Sequence, residues 1–429
     1  MSAETAPGGA FAQYWRVLRR PHVAPLLAVG FLGRLPHSVT AVLVTLHVTH
    51  TLGMDYLYAG MAAAILTIGI AFGSPWRGRR IDTVGLRRAV VPSIIVEGLA
   101  WGLAPFVSYP FLLVLLFAAG LYSLPVFTII RQSLSVMMRG DDRRTSFSLD
   151  SMVTELVFIL GPGGSAVVAS LLSSKVALLA TGALVVLAGV VLLWRNPPTR
   201  SSQLEGTEHR EAIGELEAPG RYDEAPVVTG AIPVVNAQAP APGRFSWVTP
   251  GVIAMLIMSA GAGMSLSGTE VGVVAFSEHA GDTSMGLWWA YGVWSAASLV
   301  GGFLYGAQKR RYDPLGIITV MGIALIPAAF APDMFWLGLL LVLSGFFVAP
   351  LMTAASERLT EQVVERHRGE AMGWYGSAMT AGTALGTPLV GVVIDTAGPQ
   401  TAFLALAGVA IVTGLGTIAL RSARRARRA

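Results

Sequence analysis

Arg34, His37, Glu97, Glu155 and Glu270 stand inside otherwise apolar stretches, and their types limit the chemistry open to them. Arg34 and His37 share the first stretch, Glu97 and Glu155 lie in the third and fifth, and Glu270 falls in the outer part of the seventh. Arg34 and His37 are three residues apart, which places both on one face of a helix. A charge at the centre of a helix in hydrocarbon costs about 2.5–3.5 kcal/mol, so each should face a cavity or a partner. Such groups can pair, take up a proton, or attract an opposite charge. Other chemistry is not expected. The chain has no cysteine, hence no thiol nucleophile, disulfide or Cys-ligated metal. It also has no His-x-x-x-His pair, no Gly-x-Ser-x-Gly turn and no phosphate-cradling Gly-Lys-Ser/Thr loop. An enzyme, a resident cofactor or metal, and direct use of ATP are therefore not expected.

The elements that must hold these groups are membrane-length. Apolar stretches run roughly 23–50, 57–76, 89–108, 111–131, 148–172, 176–194, 249–277, 285–306, 314–331, 334–354, 371–394 and 401–420. Each approaches or exceeds the ~20 residues a helix needs to cross ~30 Å of hydrocarbon. With 53% hydrophobic and only 13% charged residues, the composition excludes a disordered or ordinary soluble chain. An all-α membrane protein of twelve crossings is predicted.

Orientation follows from the cations. Of 30 Lys and Arg residues, 28 lie at alternate ends of the stretches, leaving Arg34 inside the first and Lys175 in an opposite-side connection. Retention of cations on the cytoplasmic side predicts that both termini are cytoplasmic. The net charge of +5 is spread over loop ends, so it implies anionic lipid as a neighbour and no nucleic-acid partner. The N-terminus, MSAETAPGGAFAQYWRVLRR, lacks a short apolar segment with a small-residue cleavage site, so a cleaved signal peptide is not expected.

The apolar pattern breaks over residues 196–246, a Pro-, Ala- and Glu-rich stretch that predicts a mostly disordered cytoplasmic linker with a short surface helix around 204–217. It separates a six-helix half, 1–195, from a second, 247–429. The halves repeat: a shift of 225 residues lays Gly120 on Gly345, Pro125 on Pro350, Thr128 on Thr353 and Gly161 on Gly386. Two parallel six-helix repeats with a site between them are a recurring transporter plan.

The second connection reads Gly78-Arg-Arg-Ile-Asp82-Thr-Val-Gly85-Leu-Arg87-Arg88. Its spacing resembles the signature loop of the major facilitator superfamily, and with the twelve stretches and the 6+6 repeat the resemblance covers essentially the whole chain. The resemblance implies two pseudo-symmetric six-helix bundles around a cavity that opens alternately to either side. It also implies that Asp82 meets a helix N-terminus of the other bundle, where an anion is favoured, and closes an inner gate. Gly85 would provide the turn, and Arg87 and Arg88 would pair with acids across the interface or with lipid phosphate. The second half reads Gly306-Ala-Gln-Lys309-Arg310-Arg311 with no aspartate in register, so a single-copy gate is expected. Gly161-Pro162-Gly163-Gly164 resembles the fifth-helix Gly-Pro motif of the superfamily's antiporters. Val157 stands where that motif usually has a glycine.

In the family fold helices one and five line the cavity and helix three is peripheral, which ranks Glu155 and Arg34 above Glu97. Glu155 is expected to titrate or attract a cation with Arg34 as charge partner; the competing reading is a static Arg34–Glu155 or Arg34–Glu97 pair. Asp150 is an equal candidate for pairing with the basic gate loop. Glu270 would either attract substrate near the outer mouth or snorkel toward water, and Ser265, Ser267 and Thr269 on the same helix could supply neutral hydrogen bonds. Tyr122 and Trp294 fall mid-stretch as candidates for lining an apolar cavity. The chain looks like the bacterial efflux branch: a monomer in the inner membrane, exporting an amphipathic molecule against inward proton flow. A facilitator or importer on the same fold is the alternative, and a non-transporting receptor or scaffold is the reading from another class.

Overall fold

The computed structural model describes residues 7–171, 173–204, 245, 247–281, 284–308 and 310–426. The first half comprises α1 (Pro7–Arg19), α2 (Val23–Leu46), α3 (Tyr56–Val84), α4 (Leu86–Leu103), α5 (Tyr109–Leu121), α6 (Val126–Met137), α7 (Gly140–Leu171) and α8 (Ser174–Arg195). The second comprises α9 (Pro250–His279), α10 (Ser284–Ala307), α11 (Pro314–Leu325), α12 (Met334–Gly345), α13 (Val348–Gln362), α14 (Arg368–Ala397) and α15 (Pro399–Ala426). Among the described residues, nine segments are long and apolar enough to cross a membrane, and Pro314–Phe330 is a shorter apolar helix. Large apolar side chains such as Leu99, Phe111 and Val412 stay exposed, as a lipid solvent permits.

The internal repeat is visible in the backbone. The segments Tyr109–Met137 and Met334–Gln362 begin and end 225 residues apart. Each is a pair of helices with a break, at Tyr122–Pro125 in the first and Phe346–Phe347 in the second. A helix broken inside a membrane exposes backbone amides and carbonyls that need partners there. Side chains of neighbouring helices supply such partners at both breaks.

Each half has one apolar core near the end that carries the chain termini and the arginine-rich connections, called here the basic end, and another toward the opposite end. α1 lies ahead of the first bundle as an amphipathic helix, burying Tyr14 and Val17 and exposing Phe11 and Trp15. Residues 196–204, read as the start of the linker, run over the basic end as a left-handed Asn196 (φ 41°) and a 3-10 turn, Ser201–Gln203. The remainder of that linker, including the short helix expected around 204–217, lies outside the described residues.

Candidate functional site

Asp82 closes one contact between the halves. It lies in the last turn of α3, and its two oxygens accept the amides of Gly369 (3.0 Å) and Glu370 (2.7 Å) at the start of α14. These amides have no partner within their own helix, and the helix dipole favours the anion there. The approach requires glycine: a Cβ on Gly78 would stand 2.0 Å from the Gly369 carbonyl oxygen. Gln132 of α6 donates to the same Asp82 oxygen at 2.8 Å. Gly85, with φ +84°, turns the chain from α3 into α4. Arg87 and Arg88 follow in the first turn of α4, and among the described residues neither forms an ion pair.

A further contact lies at the end of α10. With no aspartate at the end of α10, the polarity is inverted. Arg144 of α7 donates to the carbonyls of Gln308 (2.6 Å) and Arg310 (3.2 Å) just past α10, and to Glu357 of α13 at 3.2 Å. A cation at a helix C-terminus is the mirror of an anion at a helix N-terminus. Tyr14 of α1 adds hydrogen bonds to the carbonyls of Gly302 (3.2 Å) and Phe303 (2.7 Å). Burial pushes its phenol up to about 12, so it remains a donor at any physiological pH.

Between these contacts sits a buried charge cluster, and it corrects the expected partner of Arg34. Arg34 meets neither Glu155 nor Glu97; its Nη2 lies 2.7 Å from Asp150 Oδ1. That contact is ionic in distance but off the hydrogen-bond direction, so the Arg34 nitrogens have no hydrogen-bond partner. The other Asp150 oxygen accepts Arg131 Nε at 2.6 Å. Arg131 also donates to Ser151 Oγ (2.7 Å) and, across the interface, to the Met352 carbonyl (3.1 Å). Its guanidinium lies over the rings of Phe127 and Phe147.

The break at Tyr122–Pro125 explains Glu97 and His37. Arg77 of α3 donates to the Gly120 (3.0 Å) and Leu121 (3.1 Å) carbonyls that end α5. Glu97 of α4 accepts the Leu124 amide at 2.8 Å. His37 Nδ1 faces the Gly33 carbonyl at 2.9 Å and must carry the proton there, since a carbonyl only accepts. Its Nε2 then faces Ser123 Oγ at 2.7 Å and Glu97 Oε1 at 3.3 Å. Glu97 is 2% exposed, which corrects its low ranking on a peripheral helix. α4 is peripheral on one face only. The other carries Ser93, Glu97 and Trp101 inward.

Glu155 lies one turn beyond this cluster on α7. Its Oε1 accepts Ser298 Oγ of α10 at 2.9 Å, and that hydroxyl accepts the Ala349 amide (3.1 Å) at the start of α13. Ser298 therefore does at the second break what Glu97 does at the first. Glu270 is exposed on α9, and its backbone carbonyl accepts Tyr291 Oη at 2.8 Å. Of the other cavity candidates, Ser267 is buried and donates to the Thr383 carbonyl at 3.3 Å. Tyr122 packs edge-on against Trp76 with ring centroids 5.4 Å apart. Trp294 packs between the two apolar cores of the second half. Gly161 and Pro162 lie within α7, and their side-chain packing is outside the described residues.

Arg77, Arg131 and Arg144 read in the sequence as topology-setting cations, yet they are 3%, 1% and 0% exposed. Tyr14, Gln132, Ser298 and Glu357 carried no chemical signal at all. Their roles depend on the neighbouring half, which sequence spacing within one helix does not reveal.

The arrangement has known counterparts. The sequence matches the profile of the Major Facilitator Superfamily over residues 26–331 and 315–429. It is similar to the multidrug efflux pump Tap of Mycolicibacterium fortuitum, 24% identical over 385 residues, covering 85% of this chain and 87% of the pump. To the Tap pump of Mycobacterium tuberculosis it is 27% identical over 158 residues, 35% of this chain and 36% of that protein. Its fold is shared with the human organic anion transporter MFSD10 (TM-score 0.65, 15% identity, 93% of this chain and 100% of that one). It is also shared with the proton:xylose symporter XylE bound to 6-bromo-6-deoxy-D-glucose (TM-score 0.69, 12% identity, 92% and 94%). With the profile matched across nearly the whole sequence, this multi-pass membrane protein belongs to the major facilitator superfamily, whose members are transporters and not enzymes.

Proposed function

We propose that the protein exports a small amphipathic molecule by alternating access, with protons moving inward as the energy source and no bound cofactor. In this reading twelve helices cross a bacterial inner membrane, the basic end and both termini face the cytoplasm, and a single chain encloses the pathway. One observation carries it. Among the described residues, every hydrogen bond between the halves falls between the basic end and the level of Glu155–Ser298 and Ala71–Ser377. That one-sided closure is what the outward-open half of a transport cycle requires.

Glu155 and Glu270, contributed by opposite halves, stand at and beyond the last of these contacts. Two carboxylates there suit a substrate with a positive charge on an apolar body. Protonation from the outer side would cancel their charge and release it. The likeness to the Tap pumps supports the outward direction. The test uses everted vesicles with an acidified lumen, a pH-sensitive dye and a panel of lipophilic cations, antibiotics and sugars. Protein-dependent alkalinisation on adding one lipophilic cation is expected. Movement of that compound down its gradient with no proton flux would leave an uncoupled facilitator instead.

A further inference from the structure

Among the described residues the buried arginines are Arg34, Arg77, Arg131 and Arg144, all in the first half. The last three donate to carbonyls, hydroxyls or carboxylates of neighbouring helices. Arg34 is the exception. Its Nε, Nη1 and Nη2 are buried and donate no hydrogen bond, and the carboxylate it approaches, Asp150, is shared with Arg131. A buried donor without an acceptor has lost its water and gained nothing in return, and a guanidinium carries five such donors. One carboxylate also cannot neutralise two guanidinium groups, which leaves a positive charge without a counterion where water is excluded.

Both deficits are met by an anion. A carboxylate is the anion whose planar pair of oxygens matches the planar fork of a guanidinium. Packing already holds the fork in place: Nη1 lies 3.1 Å from where a Cβ on Gly30 would stand, so a side chain there would crowd it. The position is within reach of the pathway. His37, one turn farther from the basic end on the same face of α2, has a side chain 29% exposed, and Arg34 lies directly beneath it. Glu155 follows Asp150 by five residues on α7, about 7.5 Å along the helix axis at 1.5 Å per residue. An unneutralised cation and an accessible carboxylate therefore stand at two depths of one path.

We propose that Arg34 binds a carboxylate of the transported molecule, which makes the substrate a zwitterion: a cationic group at Glu155 and Glu270 and an acidic group one to two helical turns deeper. This rests on the reading of Glu155 and Glu270 as the cation site. Rhodamine B tests it, because it carries a xanthylium cation and a carboxylate on one apolar body, and its ethyl ester keeps the cation without the anion. Both dyes are titrated into the purified full-length protein in neutral detergent and followed by fluorescence polarisation against empty micelles. The parent should bind rhodamine B about tenfold more tightly than the ester, as expected for a hydrogen bond to a charged group. Arg34→Gln should abolish that preference and leave the affinity for the ester within about twofold, since the two sites share no partner. Equal affinity of the parent for both dyes overturns the proposal and leaves the cation site standing, as does a preference that survives Arg34→Gln. The dye comparison on the parent is decisive even if the variant folds poorly. Binding of neither dye would count against the cation site instead, and benzoate then decides for Arg34: a higher Tm of the parent in benzoate than in equal chloride supports the anion site, and no difference overturns it.

Discussion

Asp150 stands between Arg34 and Arg131, one oxygen 2.7 Å from the first and the other 2.6 Å from the second. All three side chains are buried, so one carboxylate holds two guanidinium groups where water cannot. The arrangement ties α2, α6 and α7 together at the level where Arg131 also reaches Met352 of the other half. It carries a net positive charge where the two halves meet.

Removing the carboxylate should therefore be severe. Breaking a buried ion pair from one side leaves an uncompensated charge and costs about 3–5 kcal/mol. Asp150→Asn should lower the Tm of the purified protein sharply, and Arg34→Met should cost less because Arg131 keeps its partner. A Tm for Asp150→Asn within a degree of the parent would mean that carbonyl acceptors alone can hold Arg131.

The contact of Asp82 with the start of α14 should respond more gently. Asp82→Asn keeps an oxygen for one α14 amide but loses the charge, which is worth about 0.3–1 kcal/mol at a helix N-terminus. The closed population should fall by roughly two- to fivefold in its equilibrium constant, read by spin-label distances across the basic end. Gly78→Ala should act more strongly, because its Cβ would meet the Gly369 carbonyl oxygen at 2.0 Å. If both variants kept the parent distance distribution, the second lock at Arg144 would be sufficient by itself.

How far the sequence reaches can be judged on these residues. The helices and the 225-residue repeat were legible because membrane length and period survive in one-dimensional order. The Gly78–Arg88 loop was legible because its turn needs glycine and its anion needs a fixed spacing. The partner of Arg34 was not, since Asp150 and Glu155 are on one helix, five residues apart, and only packing decides which faces α2. The buried arginines were misread for a related reason. A guanidinium that sets topology and one that caps a helix break look alike in sequence, and Arg77 differs from Arg79 only in facing Gly120. Glu97 offered a usable signal: it shares a face of α4 with Ser93, while the opposite face carries only large aliphatic residues, Val91, Ile95, Leu99 and Leu103.

Glu155 can be separated from the hydroxyl that holds it. Ser298 spends its one proton on Glu155 Oε1 and takes the Ala349 amide on its lone pair, leaving Oε2 without that contact. Glu155→Gln should abolish proton flux and weaken substrate binding, because it fixes the uncharged form that releases substrate, whereas Ser298→Ala keeps the carboxylate and should retain both. Equal loss of both activities in the two variants would reduce Glu155 to a strut between α7 and α10.

The stretch after α8 makes a further contact beside Asp82. Thr199 is fully buried, its carbonyl accepts Gln132 at 3.2 Å, and Arg200 donates to the Asp82 carbonyl. Ser201 then crosses to the other half, giving its amide (2.5 Å) and hydroxyl to the two oxygens of Glu365. Ser201→Glu would set two carboxylates against each other and release this strap. Tryptic cleavage after Arg200 should become several times faster, since cleavage of a locally opened segment tracks the open population. Ser201→Ala keeps the amide bond to Glu365 and should change the rate little. Unchanged cleavage in Ser201→Glu would mean that Thr199 and Arg200 hold the strap without help from the second half, so that its release is not coupled to separation of the bundles.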